Sequence, residues 1–162
     1  MTADAPVSRD ALFASLRTQW AESEAAVTRA AANFEAPGYE GWTVGDAFRH
    51  IVDSAHNTAS DIRAMLASGE FTPPADERNA KGIAKFKALD AKMLPIEMDT
   101  AHGVVWMYIQ RFSEEDLTKT YKVLGSDMSL GQLLWLYLQH ETQHVADALK
   151  SAGVSHAARL GF

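Results

Sequence analysis

Apolar residues recur along most of this chain in steps of three, four and seven, the spacing that lines one face of an α-helix. Leu12, Leu16, Trp20, Val27, Ala31 and Phe34 form the first such face, with Ser8 placed to cap it. Pro37, Gly38 and Gly41 end it. Thr43 then stands as the N-cap of a second helix, with Asp46 as an imperfect capping-box partner. Val44, Phe48, Ile51, Ala55, Ile62 and Leu66 make its buried stripe before Gly69, Pro73 and Pro74 mark a longer connection. A third helical region is predicted from about Asp76 to Phe112, broken or kinked at Pro95, whose ring removes a backbone donor. The stretch from Asp116 to Asp127 reads as a short extended crossover, with no strand run strong enough for a sheet. Ser129 caps a fourth helix ending near Gly153, and the tail 154–162 is expected to be loosely held. Four long helices with crossover connections predict an all-α four-helix bundle, a single domain over 1–162 with its core at about 8–153.

Composition narrows the function. The chain has 162 residues, with 47% apolar and 22% charged, the balance of a globular protein. A net charge of −6, with Lys and Arg spread singly, argues against nucleic acid as a partner. No apolar run approaches the roughly 20 residues of a bilayer span, and no secretory h-region precedes Arg9. The expected location is the cytoplasm, with no membrane partner and a small-molecule substrate. Cysteine is absent, which removes disulfides, thiolate metal sites and a protein thiol nucleophile. Any metal must sit on His, Asp or Glu.

Position sorts the six histidines. His140 and His144 are four apart on the fourth helix, so their rings can meet one divalent ion at about 2.0–2.1 Å. Leu133 and Tyr137 share that flank and point it into the bundle. The alternative is a pair of half-buried histidines bonded to backbone or carboxylate. An open catalytic site needs a third ligand. By helical angle His50 rides the polar flank of the second helix, beside Asp46, Asp53, Ser54 and Asn57. That suits either a solvated surface ring or one facing a wet cleft between helices. His56 and His102 read as ordinary histidines, and His156 in the tail is the reserve ligand.

His140-Glu141-Thr142-Gln143-His144 also satisfies H-E-x-x-H, the zinc-protease pattern. Its surroundings do not fit a protease. Only 18 residues follow His144, and Asp147 and Lys150 stand where the extended form needs glycine and histidine. Glu141 falls on the apolar face with Leu134, Leu138, Val145 and Ala148. There it is either an ion-paired or Trp-bonded structural carboxylate, or a general base or ligand-orienting group. Asp147, one turn beyond His144, is a second such candidate or a solvated carboxylate.

The segment from Gly41 to Ile51, with Trp42-Thr43-Val44 ahead of His50, resembles the start of the second helix in the DinB/YfiT-like metalloenzymes. Met128 to Leu149 is similar to that family's last helix, where two more histidines complete a triad. The resemblance implies a four-helix bundle with a crossover, often a homodimer, and a divalent metal on His50, His140 and His144, with zinc or nickel foremost. It further implies a thiol-dependent S-transferase using a low-molecular-weight thiol such as bacillithiol or mycothiol. Catalytic roles for Glu141 and Asp147, polar-ligand contacts from Asn57, Asp61, Arg78 and Asn79, a metal-dependent hydrolase and a non-enzymatic metal- or small-molecule-binding stress protein are the accompanying expectations. Asp147 departs from the glutamine or asparagine common in the family, which adds a carboxylate near the metal.

Overall fold

A computed structural model describes residues 8–72 and 76–155. Four long helices dominate: α1 (Arg9–Ala30), α2 (Val44–Ser68), α4 (Leu94–Ile109) and α6 (Leu130–Ser151), with shorter α3 (Asp76–Lys85) and α5 (Glu114–Thr118) between them. The capping residues read from the sequence are all used. Ser8 accepts from Ala11 N at 3.3 Å, Thr43 from Asp46 N at 3.1 Å, and Ser129 from Gln132 N at 3.1 Å. The Thr43 box is complete, because the Asp46 carboxylate also accepts from Thr43 N at 3.1 Å. Gly69 ends α2 in the left-handed region at φ 83°, which glycine enters without a Cβ clash.

Two expectations are corrected. Pro95 neither breaks nor kinks a helix running to Phe112. The chain leaves α3 at Lys85 and starts α4 afresh, with Pro95 in the first turn, where its missing N–H costs nothing. The extended crossover also forms a small sheet. β2 (Thr120–Val123) pairs antiparallel with β3 (Ser126–Ser129), and β1 (Glu70–Phe71) adds to β2 in parallel. These strands are two to four residues long, too short to show an alternating pattern, and the pairing comes from the loop geometry.

Around the bundle, α1 packs on α6, α6 on α2, α2 on α4, and α4 on α1. The links α1→α2 and α4→α6 therefore cross the bundle diagonally, and α2 becomes the neighbour of α6 although residues 69–129 lie between them. Apolar side chains fill two clusters. One joins Val27, Phe34, Phe48, Met98 and Leu149, and the other Leu12, Leu16, Ile62, Ile109, Leu130 and Leu134. Arg49, only 2% exposed, pins the start of α2 by reaching Asp46 at 2.9 Å, Glu35 at 3.0 Å and the Leu89 carbonyl at 3.1 Å.

Candidate metal centre

His50 on α2 meets His140 and His144 on α6 where the two helices pack. The His50 and His140 Nε2 atoms are 3.3 Å apart, and those of His144 and His140 3.0 Å. Candidate ligand atoms of the three rings all lie within 4.8 Å of one another. Nitrogens bonded at about 2.0–2.1 Å to one tetrahedral ion would stand about 3.3 Å apart. The donor set and its spacing therefore fit a divalent metal. Among the described residues this is the only group of three or more such ligands that does.

Periodicity placed His50 on a polar flank, and the structure moves it inside: it is 6% exposed. The polar flank of α2 is the wall that α6 covers. Burial, followed by the His144 and His140 rings, pulls His50 down to about 3 from its ordinary 6.5. His140 keeps part of its surface exposed, yet the packing around its ring, and then His144, pull it to about 4, against the opposing charge of Glu141. Both imidazoles are thus neutral at pH 7, the form that binds metal.

Trp42 roofs the cluster. Its ring lies 5.1 Å from that of His50 and stacks on His144 at 5.7 Å and 23°. The turn that caps α2 holds it there: Gly38 N donates to the Trp42 carbonyl at 2.7 Å, and Trp42 N to Tyr39 O at 3.0 Å. The Trp-Thr-Val sequence thus combines a ring over the site, a helix cap and a fully buried Val44. His50 Nδ1 is buried with no hydrogen-bond partner, so Trp42, rather than an orienting acceptor, sets the ring plane.

The rings border a cleft of about 320 Å³. His50 and His140 line it, together with polar Asp53, Asn57, Asp61, Arg78, Asn79 and Tyr137 and apolar Phe71, Val123, Leu124, Leu133 and Leu136. All four residues expected to meet polar ligands are there: Asn57, Asp61, Arg78 and Asn79. Arg78 reaches Asp61 at 3.5 Å. The sequence reading passed over Asp53 and Tyr137 as site residues. Asp53 sits one turn beyond His50, and that spacing was the available signal.

Glu141 and Asp147 are not brought into this cleft. The Glu141 carboxylate faces α1 and α4, where it accepts from Ser23 Oγ and lies 3.3 Å from His102 Nε2. Its partners are thus a serine and a histidine, and not the expected arginine or indole. Successive helical residues point about 100° apart, so a residue next to His140 faces away from its ligand edge. His102 is 3% exposed, stacks on Trp20 at 5.0 Å and has Glu24 3.7 Å from its other nitrogen. Burial opposes its charge, but the Glu141 and Glu24 carboxylates outweigh it and raise His102 to about 8. Asp147 accepts from Gln143 Nε2 at 3.0 Å on the outside of α6. His56 pairs with Glu97 at 2.6 Å, and His156 lies outside the described residues.

Residues 15–148 match the model of the DinB superfamily. The chain belongs to that superfamily. Among DinB relatives, a Bacillus licheniformis protein bearing the provisional name of metal-dependent hydrolase is 32% identical over 127 residues, 75% of this chain and 68% of the relative. YfiT from Bacillus subtilis, described as a probable metal-dependent hydrolase with an unusual four-helix bundle topology, superposes with a TM-score of 0.73 at 18% identity, over 96% of this chain and 95% of its own. The mycothiol-dependent maleylpyruvate isomerase superposes at 0.69 and 17% identity over 88% of this chain. This DinB chain spans only 61% of that isomerase. At these identities the two structures share the fold. No helix among the described residues is long and apolar enough to cross a membrane.

Proposed function

We infer that this protein is a metal-dependent, thiol-using S-transferase whose ion, zinc or nickel, sits on His50, His140 and His144. One observation carries the reading: three imidazoles converge beside a cleft that two of them, His50 and His140, line, in a chain without cysteine. Bound there, a divalent ion would supply the positive charge that acidifies a thiol or water at its open position. The chain's own part is to hold that charge undiminished, since neutral imidazoles cancel none of it. Trp42 shields one side of the cluster, and the cleft admits small molecules on another. With no thiol in the chain, the sulfur nucleophile is a low-molecular-weight thiol attacking an electrophile held against the apolar residues of the cleft.

The names of the B. licheniformis and B. subtilis relatives support a second reading, metal-dependent hydrolysis. In that reaction water takes the place of the thiol at the ion, and Glu141, the carboxylate of the H-E-x-x-H motif, is committed to Ser23 and His102 on the far side of α6 and is not available as its base.

Elemental analysis of tag-free protein is expected to show one ion per chain, lost in His50→Ala and His144→Ala. Full retention in both variants would remove the triad. With an aryl halide as electrophile, turnover is expected only with added low-molecular-weight thiol. Metal-dependent hydrolysis of an ester without thiol, together with no thiol transfer, would replace the first reading by the second.

A further inference from the structure

Asp53 stands one helical turn beyond His50, in the wall of the same cleft, yet is only 8% exposed. Its carboxylate packs flat on Gly82 of α3: a Cβ added there would fall 2.2 Å from Oδ2 and 2.3 Å from Cγ. Glycine at 82 is what gives the carboxylate room. Among the described residues nothing pairs with that carboxylate. Asn57 Nδ2 reaches only the Asp53 backbone carbonyl, at 2.7 Å, and Arg78 turns to Asp61 instead. With no protein donor or counter-charge, a carboxylate that lines the cleft has its partner in what enters the cleft.

The surroundings select that partner. Arg78 pairs with Asp61 and leaves the Asp53 carboxylate uncompensated, so this cleft favours a cation over an anion. Burial raises Asp61, Arg78 opposes the rise, and the charge of Asp53 adds to it, as expected of two neighbouring acids. A second metal ion does not fit, because Asp53 belongs to no group of three or more convergent ligands among the described residues. The hydroxyl of Tyr137, which lines the same cleft, is buried without a partner and offers a further acceptor. Phe71, Val123 and Leu133 line the same cleft and would cover an aliphatic or aromatic portion.

We propose that the cleft binds a small molecule with a protonated amine and an apolar portion, the ammonium held by Asp53 and the apolar part lying against Phe71, Val123 and Leu133. This deepens the metal-centre reading, on which it rests, because Asp53 lines the same cleft as the ligand histidines His50 and His140.

Calorimetric titration of the metal-loaded full-length protein with hexylamine and with 1-hexanol tests it without thiol or turnover. A charge-assisted contact predicts hexylamine binding about ten-fold or more tightly than hexanol. Asp53→Asn, close to isosteric, is expected to abolish that preference while leaving hexanol affinity and metal content unchanged. Equal affinities in the unmodified protein, or an amine preference that survives Asp53→Asn, would overturn the proposal. Should the variant fail to fold, the comparison in the unmodified protein decides alone. An amine preference alongside absent thiol transfer would discard only the transferase reading, whereas thiol transfer without that preference would discard only the amine site.

Discussion

Glu141 and His50 show how differently single residues can be read. Glu141 sits inside the motif that draws most attention, and its apolar helical face correctly signalled burial. Its partners could not be read, because Ser23 and His102 come from α1 and α4. This pairing has a measurable consequence. Glu141→Ala would leave the buried His102 without its nearer carboxylate, at a cost of about 3 kcal/mol in unfolding free energy by denaturant titration. Metal content should hold, since the ligand nitrogens face the other way. Loss of the ion with stability unchanged would instead give Glu141 a role at the centre. His50 presents the converse case. A polar flank suggested solvent, and packing against α6 made that flank the interior wall of a site.

At the scale of elements, caps were the most legible feature, because a cap is decided within four residues of chain. Ser8, Thr43 and Ser129 each take up a free N–H of the first helical turn. Thr43→Ala is expected to cost about 1 kcal/mol. It should also loosen the metal site, since the same turn holds Trp42 over His50 and His144. A thermal melt and a metal-affinity titration on the same variant check both effects, and lost stability with unchanged affinity would separate cap from site. The strands and Pro95 were misread for one reason. A proline tolerates a helix only at its start, and where the helix starts depended on how α3 ended. The β1–β2 pairing likewise joins Phe71 to Val123, residues whose neighbourhood no local pattern announces.

The whole molecule adds an electrostatic expectation. In metal-free protein, His50 and His140 titrate near 3 and 4 when folded and near 6.5 when unfolded. The unfolded chain therefore binds more protons below about 6.5, and stability falls as pH drops from there toward 3. His102 acts in the opposite sense. Its folded value near 8 lies above its unfolded one, so its contribution is complete below about 6.5 and is lost as pH rises through 8. Denaturation of the apoprotein should thus show a stability maximum near pH 6.5, and His102→Asn should flatten the alkaline side. A curve unchanged by that substitution would count against the buried pair. The chain by itself determined its helices, their caps and the His140–His144 pair, because each depends on residues within a turn or two. It also carried the family resemblance, and with it the assignment of His50. Only tertiary structure decided that α2 and α6 are neighbours, since that follows from two diagonal crossings of the bundle. From that adjacency come the burial of His50, the cleft beside it, and the unpartnered carboxylate of Asp53 within reach of whatever the site takes in.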